Sequence, residues 1–202
     1  MILEANDISF RYHIGSAQIL SQFNIRLQRD ERVGLVAPSG YGKTTLLKIL
    51  AGYENADSGS VLLDGRPIQD YKGYCPVQMI FQHPETVLNP RLKLAVSLKE
   101  AGLLPRRILD GLGIEDDWLT RYPAELSGGE LQRFCIARAL GEQTVFLLAD
   151  EISTMLDLIT QAQIWDFLLK ELEMRHIGLL AVSHTMELIQ RLTTRTVTLD
   201  QR

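Results

Sequence analysis

The tightest constraint on this chain is one junction. Residues 32–36 read as a buried strand, and they run straight into Ala37-Pro38-Ser39-Gly40-Tyr41-Gly42-Lys43-Thr44-Thr45. A leucine-rich pattern at helical spacing follows over 43–51 and stops at Gly52. Glycines at 40 and 42 let the backbone curl, so that N–H groups of Ser39, Gly40, Tyr41, Gly42, Lys43, Thr44 and Thr45 face inward, and the helix start adds its positive end. Lys43 brings a mobile cation to the β and γ phosphates, and the Thr44 hydroxyl can ligate magnesium. Such a loop grips a triphosphate and does not choose the base. Ala37 stands where the pattern G-x-x-x-x-G-K-[ST] has its first glycine; a methyl group is accepted there as long as φ is negative.

Two further segments carry chemistry of their own. The apolar run 145–149 ends in Asp150 and Glu151. A carboxylate at the end of a buried strand beside a phosphate loop can hold magnesium, and the next one can orient and activate the attacking water. Adjacent carboxylates repel, which favours a bound cation. The run Leu126-Ser127-Gly128-Gly129-Glu130-Leu131-Gln132-Arg133 opens a helix with a serine cap and two glycines that expose backbone N–H groups. That is a second anion site with no lysine of its own, and two such sites in one small chain imply that they meet when two chains pair head to tail.

The remaining sequence bounds the architecture. At 202 residues the chain holds one sizeable domain, or a core with a modest lobe. Its longest aliphatic stretches fall far below the ~20 apolar residues of a membrane-spanning helix, so no direct membrane insertion is expected. The N-terminus lacks the charged start and apolar core of a secretory signal. Two cysteines, Cys75 and Cys135, make no disulfide framework, and both features point to the cytosol. A formal charge of -4 gives no general attraction to nucleic acid. Strands are expected over 2–12, 19–27 and 32–36, then a short strand pair over 60–63 and 77–81 with a turn at Asp64-Gly65. Short helical pieces broken by Gly102, Pro105, Gly111 and Gly113 follow over 89–122. Next come a helix over 128–140, a strand over 145–149, a helix over 160–174, a strand over 177–182, a short helix over 186–191 and a strand over 194–199. The main body is therefore α/β, with buried strands delivering polar residues at their C-terminal ends.

Taken in order and spacing, the segments PSGYGKTT, FQHP, LSGGELQR and FLLADE resemble the ATP-binding subunit of an ABC transporter, over nearly the whole chain. The resemblance implies an ABC-type P-loop NTPase core with an N-terminal antiparallel β subdomain and an inserted helical subdomain. The expected division is 1–88 for the β subdomain and first part of the core, 89–141 for the helical subdomain and 142–202 for the rest of the core. It also implies roles. Gln82 matches the glutamine that contacts magnesium and water and links the helical lobe to the core, and His184 matches the histidine that contacts the γ-phosphate. Tyr12 resembles the aromatic residue that stacks on adenine, with Phe10 the competing candidate. Ser127, Gly128, Gly129 and Glu130 would face the γ-phosphate held by the other subunit, and Asp157 would lie at the dimer seam. ATP and Mg2+ are the implied ligands.

Within the family, Phe81-Gln82-His83-Pro84 followed by Leu88-Asn89-Pro90-Arg91 resembles importers of oligopeptides, dipeptides and nickel. Partners implied by that branch are a second ABC ATPase chain, identical or related, integral membrane permease subunits and, indirectly, a substrate-binding protein. The implied location is the inner face of the cell membrane, and the length leads us to expect a minimal ATPase subunit. Departures stand at Glu130 (commonly Gln), Ile152 (commonly Pro), Met155 (commonly small) and Thr185 (commonly Asp). The changes at Ile152 and Thr185 leave open a catalytically weak regulatory or structural subunit. A nontransport ABC ATPase acting in translation or DNA maintenance stands as a separate alternative, although such proteins commonly carry two ATPase units or long coiled-coil insertions and this chain shows neither.

Overall fold

The computed structural model describes residues 1–13, 15 and 17–199, so the expected last segment, 142–202, is described as far as residue 199. In chain order its elements are β1 (Ile2–Phe10), β2 (Leu20–Gln28), β3 (Arg32–Val36), α1 (Lys43–Leu50), β4 (Ser58–Leu63), β5 (Arg66–Pro67), β6 (Val77–Ile80), α2 (Leu94–Leu98), α3 (Arg106–Gly111), α4 (Gly128–Ala139), β7 (Phe146–Asp150), α5 (Leu158–Arg175), β8 (Gly178–Val182), α6 (Met186–Leu192) and β9 (Arg195–Thr198). They build an α/β fold with two sheets. One is antiparallel, in the order β2-β1-β4-β5, and the other is parallel, in the order β6-β7-β8-β3-β9.

The unbroken apolar runs of β7 and β8 are what a strand covered on both faces requires. Successive side chains point to opposite faces. Phe146, Leu148, Leu180 and Val182 therefore join the core shared with Leu46, Leu47 and Leu50 of α1 and with Leu3 and Ile8 of the antiparallel sheet. Leu147, Ala149, Leu179 and Ala181 face the other core, with Phe134 of α4, Leu168 of α5 and Ile189 of α6. Gly34 in β3 lets α6 come close, because a Cβ there would sit 2.5 Å from the Ile189 Cγ2.

The expected strand pair over 60–63 and 77–81 does not exist. β4 pairs with β1 and β5, while β6 pairs in parallel with β7 in the other sheet. The physical reason is the turn. Asp64 (φ 50) and Gly65 (φ 77) are both left-handed, which closes a two-residue hairpin onto the very next residues. Pro67 then offers no N–H to extend the ladder, and the chain crosses to the parallel sheet through a short turn over 68–70. β1 also ends earlier than expected, at Phe10, after two register shifts against β2.

Parallel pairing sets up the site. Ile80 pairs with Ala149, Asp150 with Val182 and Leu35 with Val182, so β3, β6, β7 and β8 all end at the same edge of the sheet. Whatever follows each of them emerges side by side. Between β6 and β7, short helices pack around Trp118 and Phe134, whose ring centroids are 6.3 Å apart. Among the described residues no helix is long and apolar enough to cross a membrane.

Candidate functional site

The loop from β3 to α1 has the expected curl. Gly40 (φ 82) and Gly42 (φ 86) are left-handed, and Gly42 is the residue that caps α1. A side chain at 42 would collide with Ile19, which packs directly on the loop. Ala37 is not among the left-handed residues, so its methyl group is tolerated where the pattern has glycine. The Lys43 ammonium, nearly buried, donates to the carbonyls of Ala37 at 2.9 Å and Pro38 at 3.0 Å. It arches back over the loop interior, where a phosphate-binding cation belongs.

A cleft of ≈ 370 Å³ opens over this loop. Ser39, Gly40, Gly42, Lys43, Thr44 and Thr45 form its floor, and Tyr12, Ile19, Gln82, Glu151 and His184 form its walls. Tyr41 lies outside that lining, half-buried. Of the two aromatic candidates, Phe10 is 5% exposed and belongs to the core, whereas Tyr12 is 55% exposed at the cleft mouth. The Tyr12 ring meets Phe10 edge-on at 5.1 Å, and its hydroxyl lies 2.7 Å from Thr45 Oγ1. Both contacts fix the ring beside the loop.

The centre of the opposite wall is Glu151, 8% exposed, whose backbone is left-handed (φ 51) and whose N–H donates to Val182 O. Gln82 Nε2 donates to Glu151 Oε2 at 3.0 Å, and His184 Nε2 lies 2.7 Å from Glu151 Oε1. Residues 82, 151 and 184, from the ends of three different strands, thus converge on one carboxylate with both oxygens oriented. Its neighbour Asp150 is buried beneath the cleft, and its Oδ2 has no hydrogen-bond partner. Burial pushes the Asp150 carboxyl above its ordinary range. The Thr44 hydroxyl opposes that, Glu151 adds to it, and Lys43 and Lys48 oppose it. A buried carboxylate with one oxygen unpartnered, hydrogen-bonded to a threonine hydroxyl, is a hard oxygen donor set, which fits a small divalent cation such as Mg2+.

The α4 start, expected to meet an anion, lies elsewhere. Ser127 caps α4, with its N–H and hydroxyl both donating to Glu130 Oε2 (2.7 and 2.8 Å) and its Oγ accepting from Glu130 N. These bonds, the Ser127 N–H first and its hydroxyl next, hold the Glu130 carboxyl below its usual range. Gly128 and Gly129 abut Met155 and Leu156 of the same chain. Asp157 caps α5, accepting from Ile159 N, Thr160 N and Thr160 Oγ1. The Thr160 hydroxyl and then its N–H hold the Asp157 carboxyl low. None of Ser127, Gly128, Gly129, Glu130 or Asp157 lines the cleft.

Two residues of this site escaped the sequence reading. Ile19 was visible only as the start of a strand, because its contact with Gly42 depends on how β2 lies against the loop. Gln132, 1% exposed, donates from Nε2 to Phe81 O, just before Gln82; a glutamine inside an otherwise apolar helix face was the available signal.

Comparison with known proteins shows the family and the fold. Residues 20–154 match the family described as ABC transporter. The nickel import ATP-binding protein NikE of Rhodospirillum rubrum is 36% identical over 205 residues, which cover 91% of this chain and 73% of that protein. The oligopeptide transport ATP-binding protein OppF of Streptococcus mutans is 31% identical over 216 residues, covering 96% and 70%. Among solved structures, the dimeric post-hydrolysis state of the ATP-binding cassette MJ0796, bound to ADP and Pi, superposes with a TM-score of 0.83 at 24% identity, covering 97% of this chain and 93% of that one. At that identity the likeness is one of fold.

Proposed function

We propose, from the premise that this chain belongs to the ABC transporter family and is an ATPase of importer type, that it powers uptake of a small solute through separate membrane permease subunits. The solute classes are a peptide, nickel or a metal-chelator complex, in line with the names of the relatives. The observation that carries the reading is the meeting of Gln82 and His184 on the two oxygens of Glu151, at the wall of a cleft floored by Lys43 and Thr44.

In this reading Tyr12 stacks on the adenine, and the backbone N–H groups from Ser39 through Thr45 hold the phosphates together with Lys43. Thr44, Asp150 and Gln82 would hold Mg2+, which when bound offsets charge on the phosphoryl oxygens. Glu151 takes the proton of the attacking water, with Gln82 and His184 fixing its direction. Ser127 and Gly129 of a second ABC ATPase chain close over the γ-phosphate, and Asp157 lies at the seam between the two. The absence of these three residues from the chain's own cleft supports a role across the pair.

The helical lobe, 89–141, is the part we assign to motion, in a chain divided at 88 and 141. A trough of ≈ 1090 Å³ between lobe and core, with Tyr53 and Phe81 on one side and Glu100 and Arg138 on the other, is the surface we assign to the permease. Phe81 directly precedes Gln82, so a push on the trough reaches the catalytic carboxylate. A substrate-binding protein would deliver the solute from outside, with this chain peripheral on the cytoplasmic face.

The test is to purify the membrane complex containing this chain and to measure ATP turnover with candidate solutes and their binding protein. Stimulation by one solute class is the expected result. Turnover that proceeds with no membrane partner bound, and that no permease or solute alters, would refute the import reading.

A further inference from the structure

α4 does more than present Ser127 at its start. Two of its buried side chains, three residues apart and so on the same face, grip the backbone on both sides of Gln82. Gln132 Nε2 donates to Phe81 O at 3.2 Å, and Cys135 Sγ approaches Pro84 O at 3.9 Å. Phe81 O accepts only, so the amide nitrogen of Gln132 must face it, and its Oε1 is left buried without a partner. A polar side chain that is 1% exposed and half-satisfied is costly to keep in a packed helix face. An apolar residue of similar size would pack there without that cost, which points to a use for the donor.

We propose that Gln132 is a positioning residue for ATP hydrolysis, one that holds the Phe81–Gln82 backbone where the Gln82 amide reaches Glu151 Oε2. The chain of contact runs from α4 through Gln132 Nε2 and Phe81 O to Gln82 Nε2 and Glu151. Because the same helix begins at Ser127, a shift of α4 when Ser127 is engaged is transmitted to the catalytic carboxylate through one buried hydrogen bond. The proposal rests on the assignment of Gln82 and Glu151 as catalytic partners.

The experiment compares Gln132→Leu, Gln82→Ala and the double variant by steady-state ATP turnover of the assembled complex. Nucleotide titration and thermal melting of each variant serve as controls. Removing one buried donor is expected to lower kcat about three- to tenfold with nucleotide affinity unchanged, and to add nothing further in the Gln82→Ala background. A purely packing role would move the melting temperature and leave kcat alone. Unchanged kcat in Gln132→Leu, or losses that multiply in the double variant, would overturn the proposal. Should Leu impair folding, Gln132→Met fills the space with an unbranched chain and is read by the same criteria. A Gln82→Ala variant with normal turnover would instead overturn the catalytic assignment itself, so the two failures are distinguishable.

Discussion

The cleft over the β3–α1 loop and the turn that starts α4 are the two places where the proposed function puts an anion, yet they are finished to different degrees. In the cleft, charged and polar groups are wired to one another: Lys43 to the loop carbonyls, Tyr12 to Thr45, Gln82 and His184 to Glu151. At the α4 start, the side chains of Ser127 and Glu130 bond to each other in a capping box, with Met155 and Leu156 of the same chain underneath. The first region is preorganised for chemistry. In the proposed function the second is preorganised in shape and meets its ligand only when a second chain brings it, and that contrast is what a site divided between two chains predicts.

The sharpest way to break the contrast is in the cleft. Glu151→Gln should lower turnover by about 10²–10⁴-fold while nucleotide titration shows ATP affinity largely kept; normal steady-state turnover would remove Glu151 from its role. Lys43→Ala should weaken triphosphate binding itself by about tenfold or more, read in the same titration. Ser127→Ala is the complementary case. Turnover of the assembled pair should fall by about tenfold, whereas ATP binding to the separate chain should not change. A loss of binding in the separate chain would place Ser127 in its own cleft.

The smallest effect expected is one of stability. Asp150 has its pKa raised in the folded chain, so its contribution to stability is present at low pH and is lost as pH rises through the folded value. At neutral pH the ionised group weakens the fold. Asp150→Asn should raise the melting temperature at pH 7 by about 2–4 °C while losing turnover, and the gain should shrink as pH falls toward the folded pKa. An unchanged melting temperature across pH would mean that Asp150 is not strained in the fold.

What could be read from the sequence follows the range of the interactions. The β3–loop–α1 junction and the Asp150-Glu151 strand end were legible because glycine freedom, helix polarity and strand burial act over a few residues. The two-sided burial of β7 and β8 showed as unbroken apolar runs for the same reason. Pairing between distant strands left no such mark. The expected pairing of 60–63 with 77–81 fails because nothing local distinguishes a strand that pairs with β1 from one that pairs with β6. Phe10 and Tyr12 share a face by simple alternation, and only the register shifts of β1 and its end at Phe10 separate a core ring from a cleft ring. The convergence on Glu151 and the grip of Gln132 on Phe81 are products of packing, invisible until the sheet edge is assembled.

The division of labour between the two regions can be tested in one step. Ser39 and Ser127 are both exposed, one at the loop and one at the α4 cap. Chains carrying Ser39→Cys and chains carrying Ser127→Cys, each also Glu151→Gln to halt hydrolysis, would be mixed with ATP and oxidised. The account predicts a crosslink between the two different chains that forms with ATP and fails to form without it. Failure of ATP to produce that crosslink in a pair shown to associate would contradict it.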